Sequence, residues 1–292
     1  MSSIVIALVF ISTFMHAGWN LLARRRKSEG IFFNRMLALT ALAGLVPAAI
    51  SEGLTRSISA EAWACVAASG TCCGVYYFCL ARAYGSADFT IVYPVARALP
   101  VLLVALGDVL LGRQPTPLGW LGMALVAGGC LFAPLHSFKG FALRRYLNRS
   151  SVWILLTALG TVGYTLFDKS AAEVVLSGPA TAARYCYVFF AVSWLAHASL
   201  RWAFDRGRRP GGRIGWVAPA FGSALNFGAY WLVLWAYQFP GQASYVFAFR
   251  QFSIVIGVVL AFAIFKETGR AVRLIGTALI LAGLILIGLW GT

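Results

Sequence analysis

Charge is what this sequence has least of. Only 11% of its 292 residues are charged, and just nine are Asp or Glu, where a soluble domain carries about 25% charged residues. With 60% hydrophobic residues and a mean hydropathy of +0.80, that scarcity excludes a soluble fold. Histidine is nearly absent too, with three residues. The six cysteines (Cys65, Cys72, Cys73, Cys79, Cys130, Cys186) fall in apolar segments without metal-ligand spacing and read as small packing residues. No metal and no cofactor are therefore expected. The chain shows no nucleophile–base pair, no paired intramembrane aspartates and no glycine loop followed by Lys. It is not expected to be an enzyme. An intramembrane enzyme would rest on His16 alone, and no loop is long enough for the signalling domain of a receptor. The first apolar run has no basic leader and no small-residue cleavage site, so it is expected to remain as a helix.

What the chain has is long apolar runs. They reach about 20 residues, the length of a membrane-crossing helix rather than of an alternating barrel strand. Ten spans are predicted, at approximately 3–22, 31–50, 61–81, 89–111, 118–136, 151–168, 181–200, 215–237, 242–265 and 274–291. The 24 Lys and Arg residues give a net charge of +15, which in a soluble protein would suggest nucleic acid. Seventeen of them lie in the odd-numbered loops, and the even-numbered loops hold only Arg56, Arg113 and Lys169. The positive-inside rule then puts the odd loops in the cytoplasm and both termini outside. The basic balance reflects topology and attraction to anionic lipid, with no nucleic-acid partner.

Four basic residues remain inside spans: Arg35, Arg97, Arg184 and Arg250. Arg35 and Arg184 sit near span ends and can snorkel to the interface. Arg97 and Arg250 are deeper, some 12–14 Å from the nearer end at about 1.5 Å per residue. Arg97 also stands between Pro94 and Pro100, each of which removes one helical hydrogen bond, so span 4 is expected to be broken there.

The two halves overlay. An offset of 153 pairs Tyr77 with Tyr230, Tyr84 with Tyr237 and Arg97 with Arg250. One residue further on, Gly122 meets Gly276 and Gly129 meets Gly283. Gly18-Trp19 overlays Gly163-Tyr164, and Arg24 overlays Lys169. These glycines, with Gly128, are expected at close helix contacts. The organisation predicted is a first five-helix repeat over 1–150 and a second over 151–292, in one transmembrane unit. Five spans per half invert the second copy, an arrangement whose substrate site lies at the repeat interface.

His16-Ala17-Gly18-Trp19-Asn20, the Pro94–Pro100 segment and the Lys266-Glu267-Thr268 turn carry a resemblance. In these the chain resembles the drug/metabolite transporter superfamily, in its ten-helix EamA-type branch, over its whole length. Gln114 stands where the repeat's acidic residue would fall. The resemblance implies an all-α integral membrane fold, a basket of two inverted five-helix repeats with a central cavity, and transport of amino acids, other metabolites or drugs.

The residues themselves indicate a site between Arg97 and Arg250, because an arginine binds a carboxylate or phosphonate through two parallel hydrogen bonds. His16, Trp19 and Asn20 share one face of span 1. His16 is the candidate for a coupling proton, its ring titrating near neutral pH. Tyr77, Tyr230, Tyr93, Tyr164 and Asn226 are candidates for walls around a substrate. Asp168 is expected near the outer surface. The function read here is secondary active transport of a small anionic or zwitterionic metabolite, an amino acid exporter first, in a cytoplasmic (inner) membrane, by a monomer or weak oligomer. Export of cationic drugs ranks lower, since two deep arginines repel such a cargo.

Overall fold

The structure, a computed structural model, describes residues 1–24, 29–86, 89–133, 135, 149–205, 215–263 and 270–291. Every regular element among them is helical: α1 (Ser3–Arg24), α2 (Glu29–Thr55), α3 (Ala60–Ser86), α4 (Phe89–Leu110), α5 (Pro117–Phe132), α6 (Arg149–Ala172), α7 (Pro179–Phe204), α8 (Val217–Tyr237), α9 (Ala243–Arg250), α10 (Phe252–Ala263) and α11 (Arg270–Trp290). Together α9 and α10 make the ninth of the ten predicted spans. Large apolar side chains such as Leu54 and Leu110 remain 83% and 86% exposed, as a lipid-facing surface requires.

The helices pack in matched pairs. α3 lies on α6 as α1 lies on α8; α3 meets α7 as α2 meets α8; α4 meets α6 as α1 meets α9 and α10. α2 on α7, α4 on α9 and α5 on α11 are each their own counterpart. This is the pattern produced when one five-helix unit is related to the other by a two-fold axis. Glycines carry the same symmetry between α5 and α11. A Cβ added at Gly129 would lie 2.5 Å from the Gly276 carbonyl oxygen, and one at Gly122 would lie 2.8 Å from that of Gly283. Gly128 departs from expectation: it faces open space, because it is rotated off the contact face.

The even-numbered loops and both termini gather at one end. Leu176 N–H donates to the Ser57 carbonyl at 3.0 Å, Gln242 donates to the Gln114 carbonyl at 3.1 Å, and Thr116 donates to the Trp290 carbonyl at 2.8 Å. The odd-loop end is tied by Arg82 to Asp205 at 2.5 Å and by Arg201 to the Gly30 carbonyl at 3.1 Å.

The expected helix break is in the other half. α4 runs without interruption through Pro94 and Pro100, as α2 runs through Pro47. Each ring costs one backbone hydrogen bond, and the packed helices around α4 hold the rest. The ninth span, which has no proline, breaks at Gln251. There the side-chain amide donates to the Phe247 carbonyl at 3.1 Å, the acceptor that its own N–H would use in an α-helix. The displaced Gln251 N–H turns to Ala248 at 3.0 Å.

Candidate functional site

The α1 stripe forms one wall. Trp19 is buried and donates from Nε1 to His16 Nδ1 at 3.1 Å, while the Asn20 amide donates to the His16 carbonyl at 2.8 Å. Arg97 Nη2 stands 2.8 Å from His16 Nε2 and 3.5 Å from Ser253 Oγ. Both ring nitrogens of His16 therefore face donors. A neutral imidazole accepts at one nitrogen only, and an imidazolium at neither. The geometry counts against His16 as a proton carrier: adding a proton would set two N–H groups against two others.

Arg250 is the last residue of α9, placed there by the break at Gln251. It is buried, with its guanidinium carbon 5.4 Å from the Tyr230 ring centre and 6.0 Å from that of Phe247. Its Nε and Nη1 reach no acceptor. Tyr230 donates its hydroxyl to Asp168 Oδ2, and Tyr164 packs edge-on against Tyr230 at 5.8 Å.

A narrow, solvent-open cavity has His16, Asn20, Arg97, Tyr164 and Arg250 among its walls. Trp19, Tyr77, Tyr230 and Asn226 stand behind these: Tyr77 donates to Asn226 Oδ1 at 3.2 Å, and Trp19 packs on Tyr77 at 6.2 Å. The side chain of Tyr93 and the Lys266–Thr268 turn lie outside the described residues. The walls also include Tyr76, Thr157, Thr161 and Phe247, which sequence reasoning missed. Thr161 was within reach, because the offset of 145 that overlays Trp19 on Tyr164 also overlays His16 on Thr161. Asn20, Tyr84, Ala96 and Thr157 extend the cavity toward the odd-loop end. Among the described residues no Asp or Glu lines it.

The carboxylates are engaged elsewhere. Asp108 is buried, accepts from the Ser244 N–H at 2.8 Å and so caps α9 from a neighbouring helix; it also meets Arg113 at 3.4 Å. Gly112, at φ 79°, turns the chain after α4 so that the Arg113 N–H returns to the Asp108 carbonyl at 2.8 Å. Arg113 continues to Glu173 at 2.8 Å. Lys169 reaches Glu173 at 3.4 Å and donates to the carbonyls of Tyr237 at 2.9 Å and Phe239 at 3.1 Å. This lattice closes the even-loop end. Arg184 does not snorkel: it pairs with Glu52 at 3.0 Å. Arg35 lies over Trp216 at 4.4 Å. Asp168 stands one turn from the even-loop end of α6, yet it is only 1% exposed, enclosed by hydroxyls from three other helices.

Comparison with known proteins agrees with this architecture. A sequence model described as the EamA-like transporter family matches residues 3–134 and again 148–289. A solved structure described only as "Crystal structure of protein" superposes with a TM-score of 0.73 at 15% identity, over 100% of this chain and 99% of that one. No curated protein matches the sequence.

Proposed function

The chain belongs to the EamA-like transporter family, and from that premise we propose that it moves a small anionic or zwitterionic organic metabolite by secondary active transport, with an amino acid as first candidate and export as first direction. The observation that carries this reading is the surplus of donors in the cavity wall. Arg250 Nε and Nη1 are buried without an acceptor, and Arg97 stands in the same wall. A buried charged group left unsatisfied costs several kcal/mol. A carboxylate that accepts from the guanidinium lowers that cost. A cationic drug would need a deep carboxylate, and Asp108 and Asp168 already accept hydrogen bonds from the protein.

Thermal-shift measurements on the purified protein test this reading with a panel of amino acids, organic acids, phosphonates and quaternary amines. Anionic or zwitterionic members are expected to raise the melting temperature, and stabilisation by the amines alone would overturn the reading.

The proposed setting is the cytoplasmic (inner) membrane with both termini outside, which the Lys and Arg bias supports. The cavity then faces the cytoplasm, and the Arg113–Glu173–Lys169 lattice is the external gate. Alternating access requires that gate to open as the cytoplasmic side closes. Burial alone would raise the Glu173 carboxyl, but Arg113 and Lys169 outweigh it and hold Glu173 below the usual carboxylate range. Its contribution is thus full above the ordinary Glu range and is lost only as pH falls through the depressed value, so the gate should stay shut in mildly acidic buffer. Glu173→Gln should shift the population toward external opening by up to about fivefold, the equivalent of roughly 1 kcal/mol for a partly exposed pair. Spin-label distances across the even loops check this, and an unchanged distribution would contradict the gate.

A further inference from the structure

We propose that Asp168 is the binding site for a coupling proton, reached from the even-loop end by a crevice separate from the metabolite cavity. Its carboxylate touches no cation among the described residues. Instead it accepts from Ser69 Oγ at 2.5 Å and Tyr185 Oη at 2.8 Å, both on Oδ1, and from Tyr230 on Oδ2. Hydroxyls are the partners a proton site requires. Each donates to a carboxylate, and each can turn and accept from a carboxylic acid. The same cage therefore satisfies both protonation states, which the two donors around His16 cannot do.

Each helix packed around Asp168 has its own group facing it. α3 offers Ser69 with Cys65, Cys72 and Cys73; α7 offers Tyr185 and Cys186; α8 offers Tyr230 and Tyr237; α9 offers Arg250, a cation that acts on Asp168 without touching it. On α6 itself Tyr164 packs on Tyr230, and Lys169 is turned onto the α8 carbonyls.

Access is separate from the metabolite path. Asp168 lines a narrow, solvent-open crevice with Ala172, Val175, Thr181, Leu234 and Gln238. These residues lie where α6, α7 and α8 approach the even loops. Tyr230 joins the two compartments: its hydroxyl is on Asp168 and its ring lies beside Arg250.

The arrangement fixes the sign of the coupling, a step that rests on the proposed anion site. Ionised Asp168 and a substrate carboxylate compete for the field of Arg250. Protonation forms one O–H bond on Asp168, withdraws that competitor and so favours the anion; release on the other side breaks the O–H bond as the anion leaves. One proton and one anion travel together. An inward proton gradient then drives uptake, while export runs down the metabolite's own gradient and carries the proton with it.

Infrared difference spectroscopy on the full-length protein in lipid nanodiscs tests the site with the proton as the only probe. A carboxylic-acid carbonyl band should rise and fall reversibly between mildly acidic and mildly alkaline buffer. It should vanish in Asp168→Asn and move along the pH axis in Tyr230→Phe and Ser69→Ala, which keep the carboxylate if the first variant fails to fold. Absence of such a band in the wild type, or its persistence in Asp168→Asn, would overturn the proton site. A band unmoved by Arg250→Gln would overturn the coupling. Neither result depends on metabolite binding, so failure here is distinguishable from failure of the anion reading.

Discussion

Arg250→Gln is expected to weaken binding of an anionic metabolite by roughly 30-fold to several thousandfold, the equivalent of about 2–5 kcal/mol for removing one partner of a buried charged pair. The empty protein should behave in the opposite sense. Two nitrogens of this buried guanidinium lack acceptors, so a neutral side chain relieves an uncompensated charge. The variant should therefore melt no lower than wild type while losing affinity. Arg250→Lys should fall between, because an ammonium keeps the charge and lacks the planar fork. Saturation binding with the metabolite found in the thermal-shift panel, alongside melting curves of the empty proteins, checks both halves. Unchanged affinity with a lowered melting temperature would assign Arg250 a structural role instead.

Gly129→Val should be the most damaging change outside the site. Its Cβ would meet the Gly276 carbonyl oxygen at 2.5 Å and the Ile280 side chain at 2.6 Å, distances at which something must move. Overpacking of a filled core costs about 1–3 kcal/mol. Here the obstruction includes backbone, which yields less readily than a flexible side chain, so the upper end or loss of the folded protein is expected. Gly283→Val should match it, since Gly122 and Val126 crowd the equivalent position. Gly128→Ala is the control, with no atom within 4 Å of the added carbon. Thermal melting of the detergent-purified variants reads the difference, and equal melting for Gly128→Ala and Gly129→Val would contradict the close contact.

These glycines show what was legible in the sequence. Span positions follow from length and apolarity, and the repeat from ordered identities, so α5 facing α11 through matched glycines is consistent with an overlay made without coordinates. Gln251 was not legible. Proline is a strong local signal, and it pointed to α4, but tertiary packing holds α4 together. The break in the ninth span depends on a side-chain amide taking a backbone acceptor, which no propensity marks. The surroundings of Asp168 were not legible for a related reason. Its place near the end of α6 is a sequence fact, whereas its burial depends on Ser69, Tyr185 and Tyr230 arriving from three other helices. Arg97 and Arg250 were found because depth and charge are both countable along the chain. That Arg97 meets His16 required the fold.

Radiolabelled uptake into proteoliposomes, comparing wild type with Arg97→Gln and Arg250→Gln across anionic, zwitterionic and cationic solutes, tests the anion site most directly. The account predicts that wild type accumulates anionic or zwitterionic solutes and not cationic ones, and that both variants lose this transport while still inserting and folding. Transport of a cation by the wild type that survives in both variants would contradict it.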